Sequence, residues 1–350
     1  RLLAVIQATG FSRWSIDIII NKYIMKQELL ELLICPKTKQ KLHIVQEAGS
    51  GAEIEGGYLV SADMNQKYKI QKGVPRFVPL DNYSDNFGMQ WNMYSKTQLD
   101  SYSGQTISAD RFWSATGWNK DSLKDKWVLD VGCGSGRFTE IALSSGAKVI
   151  ALDYSSAVDA CYKNFKDHAN FHVVQGDIYE LPFDIELFSF VYCLGVLQHT
   201  PDPEKAFLSL PKVLKNNGNI CVDYYEKSWR SALLPKYWLR PITKRLPKVF
   251  LFSMLKRITP SLLLISRIIG SVPVVGRIIN RAVPIVNYYG IYPLSKQQHL
   301  EWSLLDTFDW LAPQYDNPQT RNTARLWMEK ANLHNIEVLK AGHIVARGKK

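Results

Sequence analysis

Between Lys126 and Glu226 apolar residues recur with two different periods. Short, nearly continuous runs (KWVLDVG, AKVIALD, FHVVQGD, FSFVYCLG and NICVDYY) have the length and composition of strands buried on both faces. Between them, Ser135 to Ser145, Ser155 to Lys166 and Asp202 to Lys215 carry helical spacing. Apolar strands separated by amphipathic helices predict a parallel sheet with helices on both sides. Further along, Thr320 to Leu333 predicts a helix, and NIEVLKAGHIVARGK predicts two strands about a glycine-containing turn. That hairpin would close the sheet edge. The pattern therefore predicts an α/β fold with a seven-stranded, mostly parallel sheet and a terminal antiparallel hairpin.

The remaining stretches follow other patterns. Residues 1–25 form a tail that mixes apolar patches with Arg13, Asp17 and Lys22. It has no small-residue cleavage site of a signal peptide. Met25, where periodic sequence begins, is the expected start. Residues 26–80 predict a small β-rich domain. Leu29, Leu30, Leu32 and Leu33 suggest a turn or two of helix before Cys35-Pro36, and KLHIV, GYLV, KYKI and RFVP follow as short strands. Residues 81–125 hold Tyr83, Phe87, Trp91, Tyr94, Tyr102, Phe112, Trp113 and Trp118, which suits a helical cap. The core then runs over 126–227 and resumes over 301–350, interrupted by an insertion at 228–300. No internal repeat is visible.

Charge changes the picture only in that insertion. The chain of 350 residues is 46% hydrophobic and 21% charged, a globular composition, with net charge +11. From Ser228 to Leu300 there is no Asp or Glu, but there are Arg230, Lys236, Arg240, Lys244, Arg245, Lys248, Lys256, Arg257, Arg267, Arg277, Arg281 and Lys296. These charges account for the whole excess, so the basic character is regional. The longest uncharged run there, Ala282 to Ser295, is 14 residues. A bilayer needs about 20 apolar residues, so no segment is expected to be transmembrane. Five cysteines, scattered and without a CxxC pair, suit a reducing, cytoplasmic compartment.

The candidate chemistry starts at VLDVGCGSGRF, residues 128–138, where three glycines alternate after a strand. A dinucleotide fingerprint would want its third glycine or alanine at position 137, which is Arg137. The spacing instead suits a nucleoside with a short zwitterionic tail, whose carboxylate would meet free N–H groups at a helix N-terminus. Asp153 ends the second strand and can accept from ribose hydroxyls. Asp177 and Ile178 end the third and can hold a purine. Open α/β sheets bind ligands at these carboxyl ends.

With VLDVGCGSGRF, VIALDYS, VVQGDIYELPF and FSFVYCLGVLQHTPDPEKAFLSLPKVLKNNGNI in order, the sequence resembles the class I S-adenosylmethionine-dependent methyltransferases. The resemblance covers residues 126–226 and the final thirty. It implies a Rossmann-like fold and S-adenosyl-L-methionine as cofactor. It implies that Asp130, Gly132, Gly134 and Gly136 line the methionine part, that Asp153 binds ribose, that Asp177 and Ile178 hold adenine, and that Leu194 and Gln198 border the cofactor. Cys133 and Tyr154, inside these motifs, count with the same set, Cys133 as a compact filler of the loop. Residues 26–80 resemble a zinc-ribbon-type accessory domain. Thr38 stands where a CPxC motif has its second cysteine, leaving only Cys35 and His43. Structural zinc wants four ligands, so no metal is expected.

A sulfonium activates its own methyl group, so the protein needs chiefly to position the acceptor and exclude water. A base helps when the acceptor is a hydroxyl. His199, just past the fourth strand, is the candidate catalytic base, since histidine titrates near neutrality; capping the next helix or hydrogen-bonding backbone is its alternative. Asp223, Tyr224, Tyr225 and Glu226 end the fifth strand and could face the acceptor or pack. Asp306 and Asp309 could bind substrate hydroxyls or cap helices. The place of an Asn/Asp-Pro-Pro-aromatic turn reads Cys193-Leu194-Gly195-Val196, which disfavours base N-methylation of that type. For the insertion three readings stand, in this order: a lid, an amphipathic surface on anionic lipid, and an RNA contact. A small-molecule, lipid-linked or saccharide-precursor acceptor fits the first two, with the protein peripheral at the inner face of the membrane. An RNA methyltransferase, a nicotinamide-dependent oxidoreductase and a non-catalytic cofactor-binding scaffold are the rivals.

Overall fold

The computed structural model describes residues 24–50, 53–79, 82–229 and 234–350. The expectations for the tail before Ile24 lie outside the described residues. Strands form at β1 (Met25–Lys26), β2 (Leu42–Ser50), β3 (Glu53–Ser61), β4 (Lys67–Gln71), β5 (Val74–Arg76), β6 (Trp127–Val131), β7 (Lys148–Asp153), β8 (Phe171–Gln175), β9 (Phe188–Cys193), β10 (Leu214–Tyr224), β11 (His334–Ala341) and β12 (His343–Lys349). Their order is β1-β3-β4-β5-β8-β7-β6-β9-β10-β12-β11, with β2 paired to β3. From β8 to β10 neighbours are parallel, and β12 runs antiparallel to both β10 and β11. The seven strands from β8 to β11 are the sheet that the sequence predicts. The terminal hairpin turns at Gly342, φ +76°.

The sheet extends beyond those seven. β5 lies parallel to β8, with Arg76 opposite Gln175. The Phe77 N–H donates to the Gln175 carbonyl at 2.8 Å. The Arg76 guanidinium donates to Gln175 Oε1 and to Asp159. An edge strand exposes unpaired backbone groups, and the meander of residues 42–76 covers that edge. Met25, Leu29, Leu33, Cys35 and Leu59 share one core with Leu129, Val131, Ile150 and Val191. Val128, Val149, Ala151, Val173 and Tyr192, the alternate positions, pack on the opposite face. The central strands β6 to β9 are thus buried on both sides. All five cysteines are buried and free. Among the described residues no group of three or more His, Cys, Asp or Glu is placed to hold a metal ion.

The insertion folds mainly as helices. Lys248–Gly270 is one helix of 23 residues, continuous through Pro260, and by length and composition it could cross a membrane. This corrects the expectation that no segment reaches that length: charges at 256, 257 and 267 interrupt every uncharged run but not the helix. The packing argues against spanning. Leu251, Phe252, Leu255 and Leu263 are buried, the first three against Leu304, Leu305 and Phe308 of the helix Lys296–Leu311. Spanning would also place Lys256 and Arg257 near the bilayer centre, at about 2.5–3.5 kcal/mol each.

The cations of the insertion are not all on the surface. Lys236 is buried and its Nζ lies 3.1 Å from Asp316. Arg240 donates to the Trp310 and Pro313 carbonyls, and Lys248 donates to the Ala312 carbonyl at 2.7 Å. Arg240 and Lys248 thus satisfy carbonyls at and just past a helix C-terminus, where cations are favourable.

Candidate functional site

The loops after β6, β7, β8, β9 and β10 all open at the carboxyl edge of the sheet. The strand order reverses between β6 and β9, which sets a crevice there. Gly132 stands at that reversal with φ +77°; a Cβ on it would meet Val196, after β9, at 2.2 Å. The crevice widens into a cavity of 1190 Å³. Gly132, Cys133, Gly134, Asp153, Tyr154, Ile178, Leu194 and His199, all expected from sequence, lie in its wall.

Four expected residues do not lie in that wall. Asp130 is buried and accepts from Thr139 Oγ1 at 2.6 Å. Burial pushes its carboxyl up to about 7. Gly136, φ +96°, faces inward: a Cβ there would meet the Phe165 ring at 2.3 Å and Cys161 at 3.1 Å. Asp177 accepts from the Tyr179 N–H and caps the short turn Ile178–Glu180. Gln198 is fully buried with its amide unpartnered. Of the three loop glycines, then, two would put a Cβ within 2.3 Å of a protein neighbour, and Gly134 has about an ångström more room. Its nearest facing group is the Trp91 indole, 3.3 Å from a Cβ placed there.

Asp153 holds the loop in shape. One carboxylate oxygen accepts from the Gly134 N–H at 2.9 Å, and the other accepts from the Ser155 N–H and hydroxyl. Burial raises its pKa. Tyr154 stacks on Tyr83, ring centroids 4.9 Å apart.

At the far side of the cavity, acids and aromatics converge. His199 Nδ1 lies 3.1 Å from the Tyr315 carbonyl oxygen. A carbonyl only accepts, so Nδ1 carries a proton, and the neutral form of the ring would have its lone pair on Nε2. Nε2 is buried, has no hydrogen-bond partner, and lies 3.9 Å from Asp309 Oδ1. Asp309 Oδ2 accepts from the Tyr225 hydroxyl at 3.1 Å. The His199 ring touches both Phe87 and Tyr225. Asp306 and Asp309 therefore sit on the cavity side of the helix Lys296–Leu311 and cap nothing. Asp306 accepts from the Tyr288 hydroxyl and from Gln98, and burial raises its pKa to about 6. Tyr225 and Glu226 line the cavity. Asp223 instead is locked by Arg111 at 2.8 Å and by the Gly195 N–H, and Tyr224 is buried in the core.

Arg137, which the sequence singled out only as a departure from a dinucleotide loop, also lines the cavity. Its guanidinium lies over the Phe138 and Trp302 rings. It donates to Ser108 Oγ and Gln98 Oε1. Its partners are neutral, and burial with Arg111 nearby lowers its pKa to about 10. Trp91, Phe87, Arg111 and Tyr288 also lie in the wall. Sequence gave only their aromatic or basic character, because they reach the cavity from outside the strand–helix repeat.

The sheet order and the glycine loop are similar to those of class I, S-adenosylmethionine-dependent methyltransferases. Residues 129–222 match the family described as "Methyltransferase domain". The ubiquinone biosynthesis O-methyltransferase of Coxiella burnetii is 29% identical over 129 residues, 36% of this chain and 55% of that protein. The tRNA U34 carboxymethyltransferase of Cellvibrio japonicus is 34% identical over 135 residues, 34% of this chain and 42% of that protein. The chain thus spans about half the length of the curated relatives it matches. A solved candidate S-adenosyl-L-methionine-dependent methyltransferase from Methanococcus maripaludis covers 78% of this chain and 96% of its own, at 13% identity and TM-score 0.42.

Proposed function

We propose that the protein transfers a methyl group from S-adenosyl-L-methionine to a hydroxyl of a small or lipid-linked acceptor, with His199 as the base. The residues present fit the cofactor. Gly134 lines the cavity beneath the Trp91 indole, where a Cβ would already be in tight contact at 3.3 Å, and Asp153 and Ile178 border the same space. The cavity exceeds the about 300–1,000 Å³ of ordinary ligand sites, which suits a cofactor and an acceptor held together. Gly132, Gly134 and Arg137 would hold the methionine part, Asp153 the ribose and Ile178 the adenine. When bound, the cofactor supplies an electrophilic methyl group on a sulfonium.

The observation that carries the reading is His199. Nδ1 is fixed on a carbonyl, and the unpartnered Nε2 stands beside Asp309. Nε2 can take the proton that the acceptor hydroxyl loses, and Asp309 then balances the imidazolium. Tyr225 holds the carboxylate in place. Trp91, Phe87 and Tyr288 exclude water from the same space. The match to an O-methyltransferase of ubiquinone biosynthesis supports a hydroxyl acceptor.

The test is transfer of labelled methyl into fractionated cell extract. Label is expected in a small or solvent-extractable hydroxyl compound, released as a methyl ether. Label in RNA would overturn the acceptor class, an outcome that the match to a tRNA-modifying enzyme makes worth measuring. His199→Asn is expected to lower turnover by about 10²–10⁴-fold and to leave cofactor affinity unchanged. Unchanged turnover would remove His199 from the chemistry.

A further inference from the structure

The surface of the insertion is unlike the rest of the molecule. Of the twenty-one large hydrophobic side chains most exposed among the described residues, fifteen lie between Trp229 and Ile291. On the helix Lys248–Gly270 they alternate with charge. Val249, Phe250, Leu264, Ile265 and Ile268 are exposed, and so are Lys256, Arg257 and Arg267. The opposite side of the same helix is sealed by the core cluster of Leu304, Leu305 and Phe308. The helix is thus pinned flat on the protein with an apolar, cationic face outward. Ile278, Ile279 and Arg281, just beyond it, are exposed as well.

We propose that this face docks the protein in the plane of an anionic lipid bilayer. A helix that lies in a membrane interface buries apolar side chains at the headgroup boundary while Lys and Arg reach the phosphates. The charge pattern selects the occupant. No acidic residue occurs from 228 to 300, so nothing on the insertion repels anionic headgroups. The exposed cations stand among Leu, Ile and Phe, not among polar residues. An RNA-binding face would leave those apolar side chains in water.

The surface also meets the cavity. Ile291 is both strongly exposed and part of the cavity wall, and Tyr237 lines the cavity beside the exposed Trp238. A membrane-borne molecule would therefore find the cavity rim at the docking face. The docking itself stands whether or not the methyl-transfer reading holds.

The test is flotation of the full chain with phosphatidylcholine vesicles, with and without phosphatidylglycerol. Binding is expected to the anionic vesicles and to weaken with salt. The double variant Phe250→Glu, Ile268→Glu is expected to lose binding at least about tenfold with its melting temperature kept. Lys256→Glu with Arg257→Glu is expected to lose roughly thirtyfold, specifically from anionic vesicles. Three results would each overturn the proposal. They are wild type that binds no vesicle, variants that bind like wild type, and a wild-type dimer that Phe250→Glu dissolves, which would make the face a contact between copies of this chain.

Discussion

The central strands and the long insertion helix are both rich in Leu, Ile, Val and Phe, yet they bury them differently. In β6 the alternate residues Leu129 and Val131 face one core and Val128 the other. Both faces are covered because helices and the N-terminal meander supply two layers. Under the helix Lys248–Gly270 there is one layer, the helix Lys296–Leu311, and half of its apolar residues stay outside. Apolar content alone does not define a core. The number of covering layers does, and an apolar surface left with one layer marks a place where something else can sit.

The sharpest way to break that contrast lies within the helix itself. Phe252 is 4% exposed and packs on Phe308, while Phe250, two positions earlier, is 58% exposed. Phe252→Ala should destabilise by about 3–5 kcal/mol, as cavity-forming Phe changes do. Phe250→Ala should stay within about 0.5 kcal/mol in the absence of lipid. Urea unfolding of the two variants measures both. Equal losses would mean that the outer face is covered in solution, and the one-layer description would fail.

A slightly smaller effect tests the two-layer core. Asp130 is a carboxyl inside it, with its pKa lifted by burial to about 7 from an ordinary 3.8. The folded state therefore binds a proton that the unfolded state has released between those values. Its contribution is fully favourable only at acid pH, and it is lost as pH rises from about 4 to 7. Asp130→Asn removes that slope. The stability of the variant relative to wild type should improve by up to about 4 kcal/mol between pH 4 and pH 8, less whatever the Thr139 hydrogen bond contributes. A difference curve flat with pH would show that the carboxyl stays ionised in the fold.

The same contrast explains which parts were legible in the sequence. The strands were, because burial on both faces leaves an uninterrupted apolar run. Gly132, Gly134 and Asp153 were, because a tight strand-to-helix turn and an acid at the next strand end fix both position and residue type. The orientations of Asp130, Gly136 and Asp177 were not. Neighbours distant in sequence decide them: Thr139 for the first, Phe165 and Cys161 for the second, and the Tyr179 N–H for the third. The insertion helix was hidden because its charges break the apolar run every few residues. Pro260, on the exposed side, does not end it either. The continuity of the sheet with residues 42–76 was equally hidden, because it rests on a single register position, Arg76 opposite Gln175.

The smallest effect separates a residue that shapes the loop from one that grips a ligand. Asp153 already accepts from the Gly134 N–H and from the Ser155 N–H and hydroxyl, but a carboxylate has about four acceptor positions, so it can still accept from one ribose hydroxyl. Asp153→Ala should therefore weaken S-adenosyl-L-methionine binding by about 1.5–3 kcal/mol for a charge-assisted hydrogen bond, together with some loss of stability from the freed Gly134 N–H. Ser155→Ala removes only the local hydroxyl partner. It should lower the melting temperature slightly and leave affinity within about threefold. Calorimetry on both variants decides between the roles. If Ser155→Ala lost as much affinity as Asp153→Ala, the carboxylate would act only by bracing the glycine turn, and the sugar contact would have to be sought elsewhere on the strand ends.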